Sequence, residues 1–134
     1  MRKAEQRLWD TLRRRAPREA WIQRLENIVG EGWPDVYAVG TARRAVWIEL
    51  KAPTRPKRST TPLLGRQGLN PDQINWHLKA HSHGIPTFVL ARDDTGELFL
   101  FPGEHAAKIN GFDISTARLF SVADNWSDIF LMML

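Results

Sequence analysis

The spacing of apolar side chains predicts a helix at the start of the chain and a strand after it. Within Lys3–Arg15, Leu8 and Leu12 stand four residues apart with Trp9 beside them, which is the spacing of one apolar helix face. The apolar and β-branched residues at 25–29 favour a strand. The glycines and the proline that follow predict a turn.

Short apolar runs predict two neighbouring strands at 35–39 and 44–50. The first is apolar after its opening residue, and in the second every other side chain is apolar up to Leu50. The four residues between the two runs are few enough for a hairpin. Because successive side chains of a strand point to opposite faces, we expect Glu49 and Lys51 on one face and Leu50 on the other.

The second half of the chain begins with a long irregular segment at 52–70, which contains three prolines and two glycines. The elements predicted after it are a helix, two strands and a short helix, at 70–83, 87–90, 97–101 and 104–109. The apolar C-terminal end fits a helix or a strand. This order predicts one α/β domain spanning 1–134, with a central mixed β-sheet flanked by helices.

Composition and charge exclude some classes of site and favour one class of partner. The chain has no cysteine, which excludes disulfides, thiolate metal sites and cysteine nucleophiles. With no signal-peptide pattern and no apolar run of membrane-spanning length, we expect a cytoplasmic protein without a membrane partner. Residues 1–58 hold 14 Lys/Arg and 7 Asp/Glu (net +7), whereas 59–134 hold 5 and 8 (net −3). This asymmetry favours a polyanionic partner such as DNA, although a merely solvated basic surface is the alternative.

The candidate chemistry lies in a Gly-Trp-Pro-Asp turn that is followed, after thirteen residues, by Glu-Leu-Lys. Asp35 and Glu49 are the ligand type that Mg²⁺ or Mn²⁺ prefers, and the backbone carbonyl of Leu50 offers a third oxygen. A cation held there would activate water for phosphodiester hydrolysis, with Lys51 orienting or deprotonating it or stabilising charge. The alternatives are a turn cap at Asp35 and an edge-strand ion pair between Glu49 and Lys51.

Taken together, GWPD, IELK and LNPDQINWHLKAHSHGIPTFVLAR resemble the PD-(D/E)XK nuclease superfamily. More narrowly, the chain is similar to the VRR-NUC family, the virus-type replication–repair nucleases, in their small stand-alone phage form. The resemblance implies a restriction-endonuclease-like core, in which Asp35 and Glu49 bind metal, Lys51 is catalytic and Gln73 is the catalytic-site glutamine on the next helix. It also implies Mg²⁺ or Mn²⁺ dependence, a homodimer, and a preference for branched DNA such as four-way junctions.

The resemblance also includes two further carboxylates. Glu26, within RLEN, resembles a stretch that the family keeps just upstream of its Gly-x-Pro-Asp turn. Glu5 stands where the superfamily often keeps a glutamate on its first helix. For both residues, a metal ligand and an ordinary surface charge stay open as interpretations.

The irregular segment carries the positive charges expected to contact DNA: Arg55, Lys57, Arg58 and Arg66. Their position directly after Lys51 favours a phosphate-binding flap that orders on duplex or branched DNA, with a passive connector as the alternative. The three histidines His77, His81 and His83 include a pair four residues apart, a spacing seen in zinc sites. We interpret them instead as a solvated or substrate-facing helix surface.

The leading hypothesis is a structure-selective endodeoxyribonuclease of the junction-resolvase type, which would act in the host bacterial cytoplasm if it is encoded by a phage. A second is a nuclease of the same fold that nicks or degrades DNA more broadly. A third, from another class, is a DNA-binding module without catalysis. The third is disfavoured because two carboxylates beside phosphate repel it unless a cation intervenes.

Overall fold

The computed structural model of the chain describes residues 3–25 and 30–134. Within them the helices are α1 (Lys3–Arg15), α2 (Pro71–Ser82), α3 (Ala106–Ile109), α4 (Ile114–Phe120) and α5 (Trp126–Met133). The strands are β1 (Trp21–Arg24), β2 (Val36–Val39), β3 (Ala45–Lys51), β4 (Thr87–Arg92) and β5 (Leu98–Pro102). Single 3₁₀ turns lie at Gly65–Gln67 and Gly103–His105. None of the helices in these two stretches is long and apolar enough to cross a membrane.

The strands form one mixed sheet in the order β1–β2–β3–β4–β5. Neighbours are antiparallel except β3 and β4, which run parallel. Parallel neighbours need a crossover connection, and α2 supplies it. In the predicted hairpin of β2 and β3, Val36 pairs with Ile48. This register carries Asp35, the residue before β2, to the position opposite Glu49.

Each face of the sheet has its own apolar core. On one face, Val46, Ile48 and Leu50 are wholly buried beneath α1 and α5, as the alternation predicted. On the other, Val89 and its neighbours on β4 and β5 pack with α3, α4 and the leucines of residues 63–69. Each fully buried side chain of this size contributes about 1.5–3 kcal/mol to folding relative to an exposed one. The two cores hold β3 and β4 rigidly in the middle of the domain.

A strand was predicted at 25–29, and its predicted start is wrong. The strand before the turn is β1, which ends before Leu25. Residues 26–29 lie outside the described residues. The last residue of β1, Arg24, pairs with Val36, the first residue of β2, and the Leu25 backbone N–H still donates to the Asp35 carbonyl at 2.7 Å. The other predicted elements are confirmed to within about two residues at each end.

The C-terminal region forms two helices, α4 and α5, and α4 was not predicted. Asp113 caps α4, because its side chain accepts a hydrogen bond of 2.8 Å from the Thr116 backbone N–H. Asn125 caps α5 in the same way, accepting from the Asp128 backbone N–H at 2.9 Å. A side-chain cap satisfies one of the unpaired N–H groups of a helix start. The apolar end that fitted helix or strand is therefore a helix, and it covers the α1 side of the sheet.

Candidate active site

Two carboxyl groups and a lysine meet where β2 begins and β3 ends. Glu49 and Lys51 are buried, at 2% and 8% exposure, although they are charged residue types. Asp35 is fixed beside them because its Oδ2 accepts a hydrogen bond of 2.8 Å from the Leu50 backbone N–H. The pleat of β3 and the hairpin register thus bring together the three residues predicted from the sequence.

Gly32 shapes the turn that delivers Asp35. Its φ is +81°, in the left-handed region that favours glycine. A Cβ at this position would lie 2.5 Å from the backbone oxygen of Asp72, in the first turn of α2. Only glycine therefore allows the turn to pack directly against the helix start. That contact fixes Asp35 relative to the helix that carries Gln73.

The environment of Glu49 disfavours a negative charge. Burial raises the pKa of Glu49 well above its ordinary value of 4.5. The Asp35 carboxylate raises it further through its charge and a shared hydrogen bond, Lys51 opposes the rise, and Glu5 adds a smaller increase. A positive charge close to a buried carboxyl group favours its ionised form. The surroundings of Glu49 therefore favour either a proton or a nearby cation on this carboxyl group.

Gln73 connects the acidic and basic parts of the site. Its Nε2 donates to Glu49 Oε2 at 3.2 Å, and its Oε1 accepts from Lys51 Nζ at 3.2 Å. The same Oε1 accepts from the Asn70 backbone N–H at 3.0 Å, while Asn70 Oδ1 accepts from the Gln73 N–H. This reciprocal pair is a capping box, which fixes the first turn of α2. Gln73 therefore positions Lys51 and Glu49 from a rigid helix start.

The expectation that all three histidines lie on a solvated or substrate-facing surface is wrong for His77. Its side chain is wholly buried, with Nδ1 2.9 Å from Thr87 Oγ1 and Nε2 4.0 Å from Glu49 Oε1. Burial, with a smaller contribution from Lys51, lowers the pKa of His77 to about 4, so the ring is neutral at neutral pH. His77 is buried because its face of α2 packs on the sheet beside β4. His81 and His83 are exposed.

Comparison with solved structures shows a known fold. The fold of this chain is similar to that of Hjc, a Holliday junction resolvase. One matching structure is that of the Archaeoglobus fulgidus enzyme, from an archaeal hyperthermophile, with a TM-score of 0.57 and 20% sequence identity over 94% of this chain and 97% of that one. The likeness confirms the expected restriction-endonuclease-like α/β fold. No protein-family model matches the chain, and no curated protein matches it either.

The donor set at the site fits a hard divalent cation such as Mg²⁺ or Mn²⁺, which takes one or two carboxylates and keeps several waters. Glu49 Oε1 is buried and has no hydrogen-bond partner within the described residues. A buried oxygen of this kind is costly unless something binds it. In the same part of the chain, no three His, Asp or Glu side chains form a metal cluster, so the Leu50 carbonyl and water would complete the shell. For Glu5, a metal ligand and a surface charge both stay open as interpretations, and Glu26 lies outside the described residues.

The predicted DNA-binding loop is largely anchored to the domain. Leu63 and Leu64 are buried in the α3 core, which fixes the second half of the loop. Arg55 is also occupied, because its guanidinium lies 2.6 Å from carboxylate oxygens of Asp93 and Glu97. The other three predicted DNA contacts, Lys57, Arg58 and Arg66, are exposed. Their contact with DNA stays a prediction, now without a contribution from Arg55.

Sequence reasoning missed a second group of cations beside the site. Arg92, at the end of β4, is partly buried and donates to Thr11 Oγ1 at 3.2 Å. Burial lowers its pKa, and the neighbouring Arg7 and Arg14 on α1 lower it further. Arg7 and Arg92 line a groove whose wall also contains Ala52, the residue after Lys51. The excess of basic residues on α1 was the available signal, but only the fold places Arg92 among them.

The Arg55–Glu97–Arg118 network predicts acid-dependent stability. Hydrogen bonds from Arg118, and then from Arg55, lower the pKa of Glu97 from 4.5 to about 2, against the opposing effect of burial. A folded-state pKa below the unfolded one stabilises the protein above the unfolded value, and this stability is lost as pH falls toward 2. Because the groups are partly open to solvent, we expect Glu97→Gln to cost only about 1 kcal/mol at neutral pH.

Denaturant unfolding of wild type and Glu97→Gln between neutral pH and pH 2 measures this contribution. The difference should shrink steadily below about pH 4.5 and vanish near pH 2. A difference that stays constant with pH would show that the network stabilises by packing and not by charge. Glu104→Gln, an exposed glutamate on the neighbouring 3₁₀ turn, serves as the control.

Proposed function

We propose that this protein is a metal-dependent endodeoxyribonuclease that hydrolyses phosphodiester bonds in branched DNA. The observation that carries the proposal is the buried Glu49 carboxylate beside Lys51 and the partly buried Asp35, with Glu49 Oε1 lacking a hydrogen-bond partner within the described residues. A buried carboxylate without a stabilising cation destabilises the fold, and a bound metal ion would remove that cost at Glu49. A Mg²⁺ or Mn²⁺ ion bound by Asp35, Glu49 and the Leu50 carbonyl would acidify water and offset phosphate charge.

The side chains and backbone of the site would position the water and the phosphate. Lys51 Nζ carries three N–H donors, of which one is used on Gln73 Oε1. Lys51 Nζ has no other hydrogen bond within the described residues, so two donors remain to hold an attacking water and a phosphate oxygen; Lys51 would then orient the nucleophile and stabilise charge on the phosphate. Gln73 keeps Lys51 and Glu49 at a fixed separation through its two hydrogen bonds. The hydrogen bond from the Leu50 N–H keeps Asp35 in register with both.

The preference for branched DNA is supported by the kind of enzyme that shares this fold. The Archaeoglobus protein is a Holliday junction resolvase, and its chain matches this one over nearly its whole length. The motif resemblance to VRR-NUC nucleases of the phage type points to the same class of substrate. The resemblance to VRR-NUC nucleases also leads us to propose that the active form is a homodimer, with one site for each strand to be cut.

Two alternatives make different predictions. A nuclease of broader specificity would cut linear duplex as fast as branched DNA. A DNA-binding module without catalysis would need no cation, yet Asp35 and Glu49 beside the phosphate would repel it. The acidic pair therefore favours catalysis, whereas the choice between branched and linear substrates rests on the fold comparison and the motif resemblance.

The test is cleavage of synthetic linear duplex, flap and four-way-junction DNA by the purified protein. We expect cleavage with Mg²⁺ or Mn²⁺, binding without cleavage with Ca²⁺, and no cleavage in excess chelator. Glu49→Gln, which removes a ligand but keeps the size of the side chain, should be inactive with every metal. Full cleavage in chelator would overturn the mechanism. Equal rates on linear and four-way DNA would support the broader nuclease.

A further inference from the structure

An unusual concentration of aromatic rings lies on the same face of the sheet as the site. The rings, which we call the aromatic row, are Trp21, Tyr37, Trp47, Trp33 and Trp76. Consecutive rings in the row have centroids 4.9–5.7 Å apart, mostly in edge-to-face contact. Such contacts make the row rigid. The two rings with the largest exposed fractions are Trp21, at 58%, and Trp33, at 39%.

One end of the aromatic row opens into a groove beside α2. The groove has a volume of about 400 Å³ and is lined by Trp33, Trp76, Lys79, Ala80, His83 and Ile85. Its floor and walls are mostly apolar rings and side chains, and Ile85 is 40% exposed. Lys79 supplies a positive charge at the rim, and no carboxylate within the described residues pairs with it. The groove therefore offers a flat apolar surface beside a cation.

The groove is built on the same elements as the candidate catalytic cluster. Trp47 precedes Glu49 by two residues on the same face of β3, a distance of about 7 Å along the strand. On α2, Trp76 and Lys79 follow Gln73 at intervals of three residues, so that all three lie along one side of the helix. Trp33 lies in the turn that delivers Asp35. A chain passing from the active site along α2 would meet the exposed rings about one nucleotide farther on.

We propose that this groove binds an unpaired nucleobase of the DNA substrate, stacked on Trp33 and Trp76, with an adjacent backbone phosphate on Lys79. The proposal rests on the proposed function for the position of the cut phosphate. Aromatic side chains stack on bases of any sequence, and a nearby cation holds the backbone. Bases inside a duplex are stacked and paired, and they can enter only at the cost of unstacking and unpairing. The groove therefore selects DNA with at least one unpaired nucleotide next to the cleavage point, as at a flap or an open branch.

The test is binding without cleavage, in Ca²⁺, of a short oligothymidine and of a blunt duplex of the same length. We expect Trp33→Ala to weaken oligothymidine binding by about tenfold and to leave blunt-duplex binding nearly unchanged. Trp33→Phe keeps a stacking ring and should retain most of the affinity. Trp21→Ala is the matched control, because Trp21 is exposed in the same aromatic row but lies outside the groove.

A second measurement covers the case in which Trp33→Ala does not fold. Bound oligothymidine should quench tryptophan fluorescence of the wild type, and Trp33→Phe should lose part of that quenching while Trp21→Phe should not. Equal loss of oligothymidine and duplex binding in Trp33→Ala would overturn the proposal, as would no loss of either. A different oligomeric state of Trp33→Ala in solution, measured as molecular mass, would also overturn the proposal. The groove would then belong to a contact with a second copy of the chain.

These outcomes separate the groove from the proposed function. If the wild type cleaves no DNA in Mg²⁺ or Mn²⁺ but Trp33→Ala selectively loses oligothymidine, the nuclease proposal fails and the groove stands. If the wild type cleaves DNA and Trp33→Ala binds oligothymidine normally, the groove fails alone.

Discussion

Lys51→Met is expected to abolish DNA cleavage while leaving DNA binding close to that of the wild type. A positioned side chain that transfers or stabilises a proton contributes typically about 10²- to 10⁴-fold to a rate, and we expect a loss in this range. Binding survives because one phosphate contact among several is a small part of the total affinity. Methionine is chosen because it keeps an unbranched apolar stem in the buried position of Lys51, which is 8% exposed.

The variant separates charge from packing. Lys51→Arg keeps the positive charge, but its planar fork cannot reproduce the single contact with Gln73 Oε1 at 3.2 Å, so we expect it to be impaired as well. Lys108→Met, at an exposed lysine of α3, is the control for removing one positive charge. The measurements are single-turnover cleavage in Mg²⁺ and binding in Ca²⁺. A cleavage rate of Lys51→Met near that of the wild type would show that Lys51 is an ordinary strand charge.

The predictable part of the site follows from local rules. The two-residue period of β3 placed Glu49 and Lys51 on one face, and the wholly buried Leu50 opposite them fixes which face that is. The Asn70-Pro71 start and the glutamine three residues after Asn70 are local signals of a helix start. The capping box that they form is also what holds Gln73 at the site. The local helix-start geometry and the geometry of the candidate site coincide here, which is why the sequence alone predicts that these residues lie together.

The unpredicted part depends on contacts between distant segments. His77 is buried because α2 crosses over the sheet beside Thr87, and periodicity does not reveal which helix face a crossover covers. Arg55 is held by Asp93 and Glu97, about forty positions later in the chain, so a basic loop residue is an internal ion-pair partner. The position of Arg92 beside α1 likewise comes from the order of the strands. In each case the partner lies too far along the chain for a sequence motif to record.

Replacing Lys57, Arg58 and Arg66 together by glutamine should make DNA affinity much less sensitive to salt. Each phosphate contact contributes about 0.9 to the slope of log K against log salt, so three contacts contribute up to about 2.7. Between 50 and 200 mM salt, the wild type would then lose about 40-fold more affinity than the variant. Arg55 is left unchanged in this variant because it pairs with Asp93 and Glu97.

The second cationic group provides the comparison that decides where the DNA backbone runs. Arg7→Gln combined with Arg92→Gln should lower the slope by up to about 1.8 if both contact phosphate. The two variants and the control Lys108→Gln are titrated with a four-way junction in Ca²⁺. In one outcome, the loop variant keeps the wild-type slope while the Arg7/Arg92 variant has a lower one. That result would show that the DNA backbone follows α1 and that the loop is a passive connector. Metal binding should be unchanged in both, because Asp35 and Glu49 are outside either group.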